Sequence, residues 1–154
     1  MRILTLLLLM LATPLAAQSI GPRDGWVVME TEKAYDTLIE DLKTAVKDNK
    51  FGVVTQAGPT GAAAQRGIEI PGNRVIGVFN NVYAVRILGL STAAMIEAPI
   101  RFYVTEEPNG TATLSYKTPS HVFAPYFDEA GPDLSVAASE LDAVFDTIAK
   151  TAVQ

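Results

Sequence analysis

The sequence predicts an α+β domain, a single mixed sheet of about five strands with two long helices packed mainly on one of its faces. Three observations carry that prediction. Residues 99–116, PIRFYVTEEPNGTATLSY, alternate apolar and polar side chains on either side of a Pro-Asn-Gly turn and read as a half-buried antiparallel hairpin. Two long segments, one near each end, keep their apolar residues at helical spacing. The segments follow one another as β-α-β-α-β-α-β-β-α, with a closing hairpin, which suits one sheet with helices on one side.

The hairpin is the clearest element. Ile100, Phe102 and Val104 alternate with Arg101, Tyr103 and Thr105, and Ala112, Leu114 and Tyr116 alternate with Thr113 and Ser115. Pro108 suits the second position of a type I turn, Asn109 the third, and Gly110 the left-handed residue that closes a three-residue loop. That turn places Glu107 opposite Thr111, and therefore Val104 opposite Leu114 and Phe102 opposite Tyr116, with apolar residues sharing one face.

From the N-terminal side, residues 25–31 (GWVVMET) form a short strand that is apolar on both faces, with Trp26 and Val28 on one and Val27 and Met29 on the other. Thr31 is placed to cap a helix whose first turn carries Glu32 at the positive end of the dipole. Tyr35, Leu38, Ile39, Leu42, Ala45 and Val46 make its apolar stripe, while Asp36, Glu40, Lys43 and Lys47 lie away from it as a solvated face. Residues 51–56 are the second strand, ended by Gly58 and Pro59. A short helix follows over residues 61–66, with Thr60 as cap and Gly67 as stop. Its glycines form no phosphate loop, because no Lys-Ser or Lys-Thr follows and no G-x-G-x-x-G occurs. Residues 74–80 (RVIGVFN), apolar on both faces, read as an interior strand.

Residues 82–97 are apolar in large part and predict a helix, a break near Gly89 and Ser91, and a second short turn, buried under the sheet or against another molecule. Residues 118–132, with three prolines and Phe123, Tyr126 and Phe127, read as an ordered loop containing a helical turn. Residues 134–152 are the second long helix, capped by Asp133 or Ser135.

Residues 1–17 have the form of a secretory signal peptide: Arg2, an apolar run from Ile3 to Ala12, Pro14, and small residues at Ala16 and Ala17. The run is about half the length needed to span a bilayer, so no stable membrane anchor is expected. Cleavage near Ala17 leaves 137 of the 154 residues as a single domain, 18–154, in the periplasm or secreted. A chain of that length buries roughly two-thirds of its unfolded surface without staples. This agrees with the absence of cysteine, which also excludes thiol catalysis and cysteine-held metal. With Arg2 gone, 11 basic residues face 17 acidic ones, a net charge of −6 that repels nucleic acid and anionic lipid. No nucleic-acid partner is expected.

The blocks IEIPGNRVIGVFNN and APIRFYVTEEPNGTATLSYKTP, with the terminal helix, make residues 26–152 resemble the domain of unknown function family numbered 302. The resemblance implies a compact α+β domain, often exported in bacteria, without an established activity. The family usually has Gly-Asn-Pro after its central strand, where this chain has Asn80, Asn81 and Val82. It often has an Asp-His pair before the second helix, where this chain has Gly58 and Pro59.

The sequence contains no catalytic signature, no cofactor motif and no metal-ligand spacing. His121 is the single histidine, so no His-His metal pair exists. It could act as a base or ligand near Tyr126, Asp128 and Glu129, but a histidine bonded to its own loop is the plainer reading. Asn80 and Asn81 end an interior strand, where loops often line pockets, although asparagines in such turns also bond the backbone. Arg101 and Tyr103 project from the hairpin's polar face, where they could meet an acidic ligand or simply be a charged exposed strand. The candidate ligand-binding residues are thus Asn80, Asn81, Arg101, His121 and Tyr126, with the Asn80 and His121 loops as pocket rim.

The leading functional expectation is a periplasmic binding or accessory module for a small molecule or a periplasmic protein. A small enzyme of unidentified reaction is the alternative, and a structural homo-oligomer the third. A homodimer is also expected, because two strands are apolar on both faces while two long helices can cover only about one face of a five-stranded sheet.

Overall fold

In the computed structural model, which describes residues 19–154, five strands form one sheet. They are β1 (Trp26–Ala34), β2 (Gly52–Ala57), β3 (Asn73–Phe79), β4 (Ile100–Glu106) and β5 (Thr111–Lys117). The order is β1-β5-β4-β3-β2 and every neighbouring pair is antiparallel, so the α+β class holds while the sheet is not mixed. The connections explain this. β4 and β5 are a hairpin, and the β2–β3 and β3–β4 connections each return the chain to an antiparallel neighbour. Helix α1 (Tyr35–Asp48) carries the chain from one edge strand to the opposite edge, so it joins no parallel neighbours. The expected signal peptide lies outside the described residues.

The hairpin adopts the register expected from its turn. Phe102 faces Tyr116 and Val104 faces Leu114. The Glu107 N–H donates to Thr111 O at 2.8 Å, and Gly110 sits at φ 84°, a conformation that costs a residue with a Cβ and not glycine. The core lies between one sheet face and the pair α1 and α6 (Pro132–Val153). Leu38, Leu42 and Val46 of α1 and Leu134, Leu141, Phe145 and Ile148 of α6 meet Ile76, Phe102, Val104, Leu114 and Tyr116. Phe145 is the central knob: its ring stacks on Phe102 (4.7 Å, 16°), meets Phe51 edge-on (6.1 Å, 87°) and lies 5.7 Å from Tyr116.

Helix starts differ from the expected caps. Thr31 belongs to β1: its hydroxyl donates to Ala112 O at 2.7 Å and accepts from the Lys33 N–H, at an irregularity in the pairing with β5. The sheet claims it, and α1 begins at Tyr35 after Ala34, which has no side-chain cap. Helix α2 (Thr60–Gln65) starts with Thr60 itself, whose hydroxyl turns to Pro71 O. Helix α6 starts at Pro132, favoured at a first position where its missing N–H costs nothing, so Asp133 and Ser135 fall inside the first turn. The 118–132 loop holds α4 (Pro119–Phe123), a 3-10 turn (Ala124–Tyr126) and α5 (Phe127–Ala130).

The segment over 82–97 forms α3 (Asn81–Leu90) and a 3-10 turn (Ala94–Glu97), and of the two covers expected for it, the sheet is not the one it takes. Only Ala84 and Ile87 of α3 are buried, while Val82 is 77% exposed and Val85 63%. Arg86 reaches Glu140 of α6 at 2.6 Å, so α3 flanks the core instead of crossing the second sheet face.

Candidate functional site

The second face of the sheet has side chains from all five strands arranged in rows. One row runs Val28–Ser115–Tyr103–Val75–Ala57, each residue paired with the next. A second runs Glu30–Thr113–Thr105–Asn73. A third begins with Trp26 opposite Lys117 and continues, one step beyond the Phe102–Tyr116 pair, with Arg101 opposite Gly77. None of Trp26, Val28, Val75 and Tyr103 takes part in the hydrophobic core, and each is only partly covered.

A cavity of about 420 Å³ opens on this face. Trp26, Tyr103 and Val75 supply aromatic and apolar wall, Arg101 and Lys117 positive charge, and Asn73 an amide. Val122 of α4 and Glu97 of the 3-10 turn close its rim from outside the sheet. Three features fix the geometry. Gly25 (φ 72°) lets the chain enter β1 against His121, whose ring occupies the space a Cβ would need. Gly77 leaves room for Thr55 and the Pro99 ring, which would meet a Cβ at 2.2 and 3.0 Å. The Asn73 amide bonds the Tyr103 hydroxyl and holds that ring along the sheet.

The charges around Trp26 are distinctive. The Arg23 guanidinium lies 5.2 Å and the Lys117 ammonium 5.7 Å from the Trp26 ring centre, both within cation–π range. Neither they nor Arg101 belong to the ion pairs among the described residues, which join Lys33 to Asp41, Lys43 to Glu40, Arg86 to Glu140 and Lys150 to Asp146. Glu97 accepts from the Tyr126 hydroxyl at 2.8 Å, and that bond to a carboxylate raises the Tyr126 phenol above its ordinary range. Among the described residues no group of three or more His, Asp or Glu could hold a metal ion, and no helix is long and apolar enough to cross a membrane.

The five sequence candidates separate into two places. Arg101 lines the cavity. His121 sits beside it, preceding Val122 and packed on Gly25, with its own N–H capped by Thr118. Tyr126 reaches the rim through Glu97. Asn80 caps α3, its Oδ1 accepting from the Val82 and Tyr83 N–H groups while its amide donates to Lys50 O at 2.9 Å. Both ends of that side chain are used by the fold. It borders a separate apolar crevice of about 30 Å³, space for one water at most. Asn81 is the exposed first residue of α3. Trp26, Val75, Glu97, Lys117 and Val122 were not among the candidates. Lys117 had a legible signal: continuing the hairpin's alternation one residue past Tyr116 places it beside Arg101.

The family model "Domain of unknown function DUF302" matches residues 27–151. The fold is similar to the crystal structure of an uncharacterized conserved DUF302 protein from Bacillus stearothermophilus. The TM-score is 0.75 at 19% identity, over 86% of this chain and 100% of that one. No curated protein matches.

Proposed function

Because the chain belongs to the DUF302 family, whose description states no activity, we propose a function from the site alone: an exported module that binds a small molecule on the sheet face turned away from α1 and α6. The observation that carries this is the cavity of about 420 Å³ walled by Trp26, Tyr103 and Val75 and bordered by Arg101 and Lys117. Its volume falls within the range of small-molecule sites, about 300–1,000 Å³, and it combines an apolar wall with a few placed polar groups. Export rests on the leader-like residues 1–17, with periplasmic release after cleavage near Ala17.

Native mass spectrometry of the protein purified from its own host tests the reading. A co-purifying small molecule, and a change in emission when it is removed and returned, are expected, because the single tryptophan lies in the cavity wall. A bare mature chain whose Trp26 emission responds to no fraction of a host metabolite extract would refute it.

A second copy of the chain is the other cover this face could take, supported by the partial exposure of Trp26, Val28, Val75 and Tyr103. The same spectra count subunits. A dimer in which Trp26 becomes shielded would make the sheet face a partner surface, and a monomer would end that reading.

A further inference from the structure

We propose that the ligand of the open face is an organic anion, a planar apolar body carrying one carboxylate or comparable oxyanion, with the charge at Arg101 and Lys117 and the body against Trp26 and Tyr103. This rests on the reading of the cavity as a small-molecule site. The register places Arg101 and Lys117 on adjacent strands, one step beyond the Phe102–Tyr116 pair and on the same face. Both side chains border the same cavity, so two positive charges share one wall of it. No carboxylate among the described residues forms an ion pair with either of them. Glu97, the one acid in the cavity wall, keeps its charge but pairs with neither of them, accepting instead from the Tyr126 hydroxyl at 2.8 Å. Arg23, 5.2 Å from the Trp26 ring centre, adds a third cation nearby.

This concentration of positive charge sits on a chain whose net charge is −5. The general field repels anions, and the local one attracts them. A ligand oxyanion between Arg101 and Lys117 would neutralise both through charge-assisted hydrogen bonds, which the guanidinium can make in pairs. The side chains of Trp26, Tyr103, Val75 and Val122 line the space for the remainder. A neutral molecule would leave the two cations unrelieved, and a cation would add to them.

The test uses the mature full chain with 2-naphthoate and its neutral counterpart 2-naphthamide as probes, by isothermal titration calorimetry. Naphthoate should bind at least about tenfold more tightly than naphthamide, the least that one charge-assisted hydrogen bond is worth. Added salt should narrow the gap. Arg101→Gln and Lys117→Gln should each weaken naphthoate by about tenfold and leave naphthamide unchanged. Arg101→Gln should not lower the melting midpoint, because the Arg101 side chain belongs to none of the ion pairs among the described residues, whereas a structural role would lower it. Equal binding of the two probes, or full naphthoate affinity in Arg101→Gln, overturns the anion assignment while leaving the cavity reading intact. Binding of neither probe also overturns it, and together with no co-purifying molecule removes the cavity reading as well.

Discussion

Replacing Phe145 with Ala removes the side chain on which the core is centred. Phe145 is fully buried, and its ring touches those of Phe102, Phe51 and Tyr116, which come from β4, the α1–β2 connection and β5. Truncating a buried Phe costs about 3–5 kcal/mol, because the transfer energy of the ring is lost and the cavity closes only partly. The upper part of that range applies here, since the rings around the gap are held by strand pairing on one side and by α1 and α6 on the other. The loss is a large part of the roughly 5–15 kcal/mol that holds a domain together, and it lowers the melting midpoint by on the order of 10 °C or more. Urea denaturation followed by circular dichroism and by Trp26 emission measures it, with coincident transitions licensing a two-state fit. A cycle of Phe145→Leu and Phe102→Leu should add a coupling of about 0.5–1.5 kcal/mol for the stacked pair. A loss below about 1.5 kcal/mol in Phe145→Ala, at unchanged denaturant slope, would mean that α6 does not insert this ring into the sheet.

Three further outcomes are expected. Asn80→Ala should cost about 1 kcal/mol of stability, the worth of a side-chain cap, and leave naphthoate binding intact; loss of binding without loss of stability would place Asn80 in the site. Gly110→Val should cost on the order of 1 kcal/mol or more, because it forces a β-branched residue to φ 84°, and an unchanged urea midpoint would contradict the turn geometry. Burial pushes the Tyr116 phenol up to about 12 from 10.0, with Asp146 and Asp142 adding to the rise. The folded chain therefore holds this proton more tightly than the unfolded one. The contribution is full below pH 10 and is lost as pH rises through 12, by up to about 2 kcal/mol. Tyr116→Phe should flatten that stretch of the stability curve relative to the parent chain, and identical curves would show that the ring is not desolvated.

The elements that proved readable in the sequence are those whose cause is local. Alternation along 100–106 and 111–117, with Pro108, Asn109 and Gly110 between, determines a hairpin and its register, since the turn chemistry and the apolar face require the same pairing. The stripes at Leu38, Leu42 and Val46 and at Leu134, Leu141 and Ile148 determine two helices with one buried side each. Arg101 could be named in advance as a candidate because it lies on the polar face of that hairpin. Helix starts were less legible, because Thr31 had a sheet carbonyl within reach and bonded that instead of a helix end. Strand order was not legible at all: periodicity shows that a strand has two apolar faces, as at residues 26–29 and 75–79, but not which strand lies beside it. Only the antiparallel order β1-β5-β4-β3-β2 sets Trp26 opposite Lys117 and Tyr103 between Ser115 and Val75. The cavity is likewise a product of tertiary structure, since α3 docks beside α6 and leaves the second face to Val122 and Glu97 at its rim. Residues up to 96 positions apart in the chain meet there because sheet pairing, unlike a helix or a turn, is a contact between segments that carry no local record of each other.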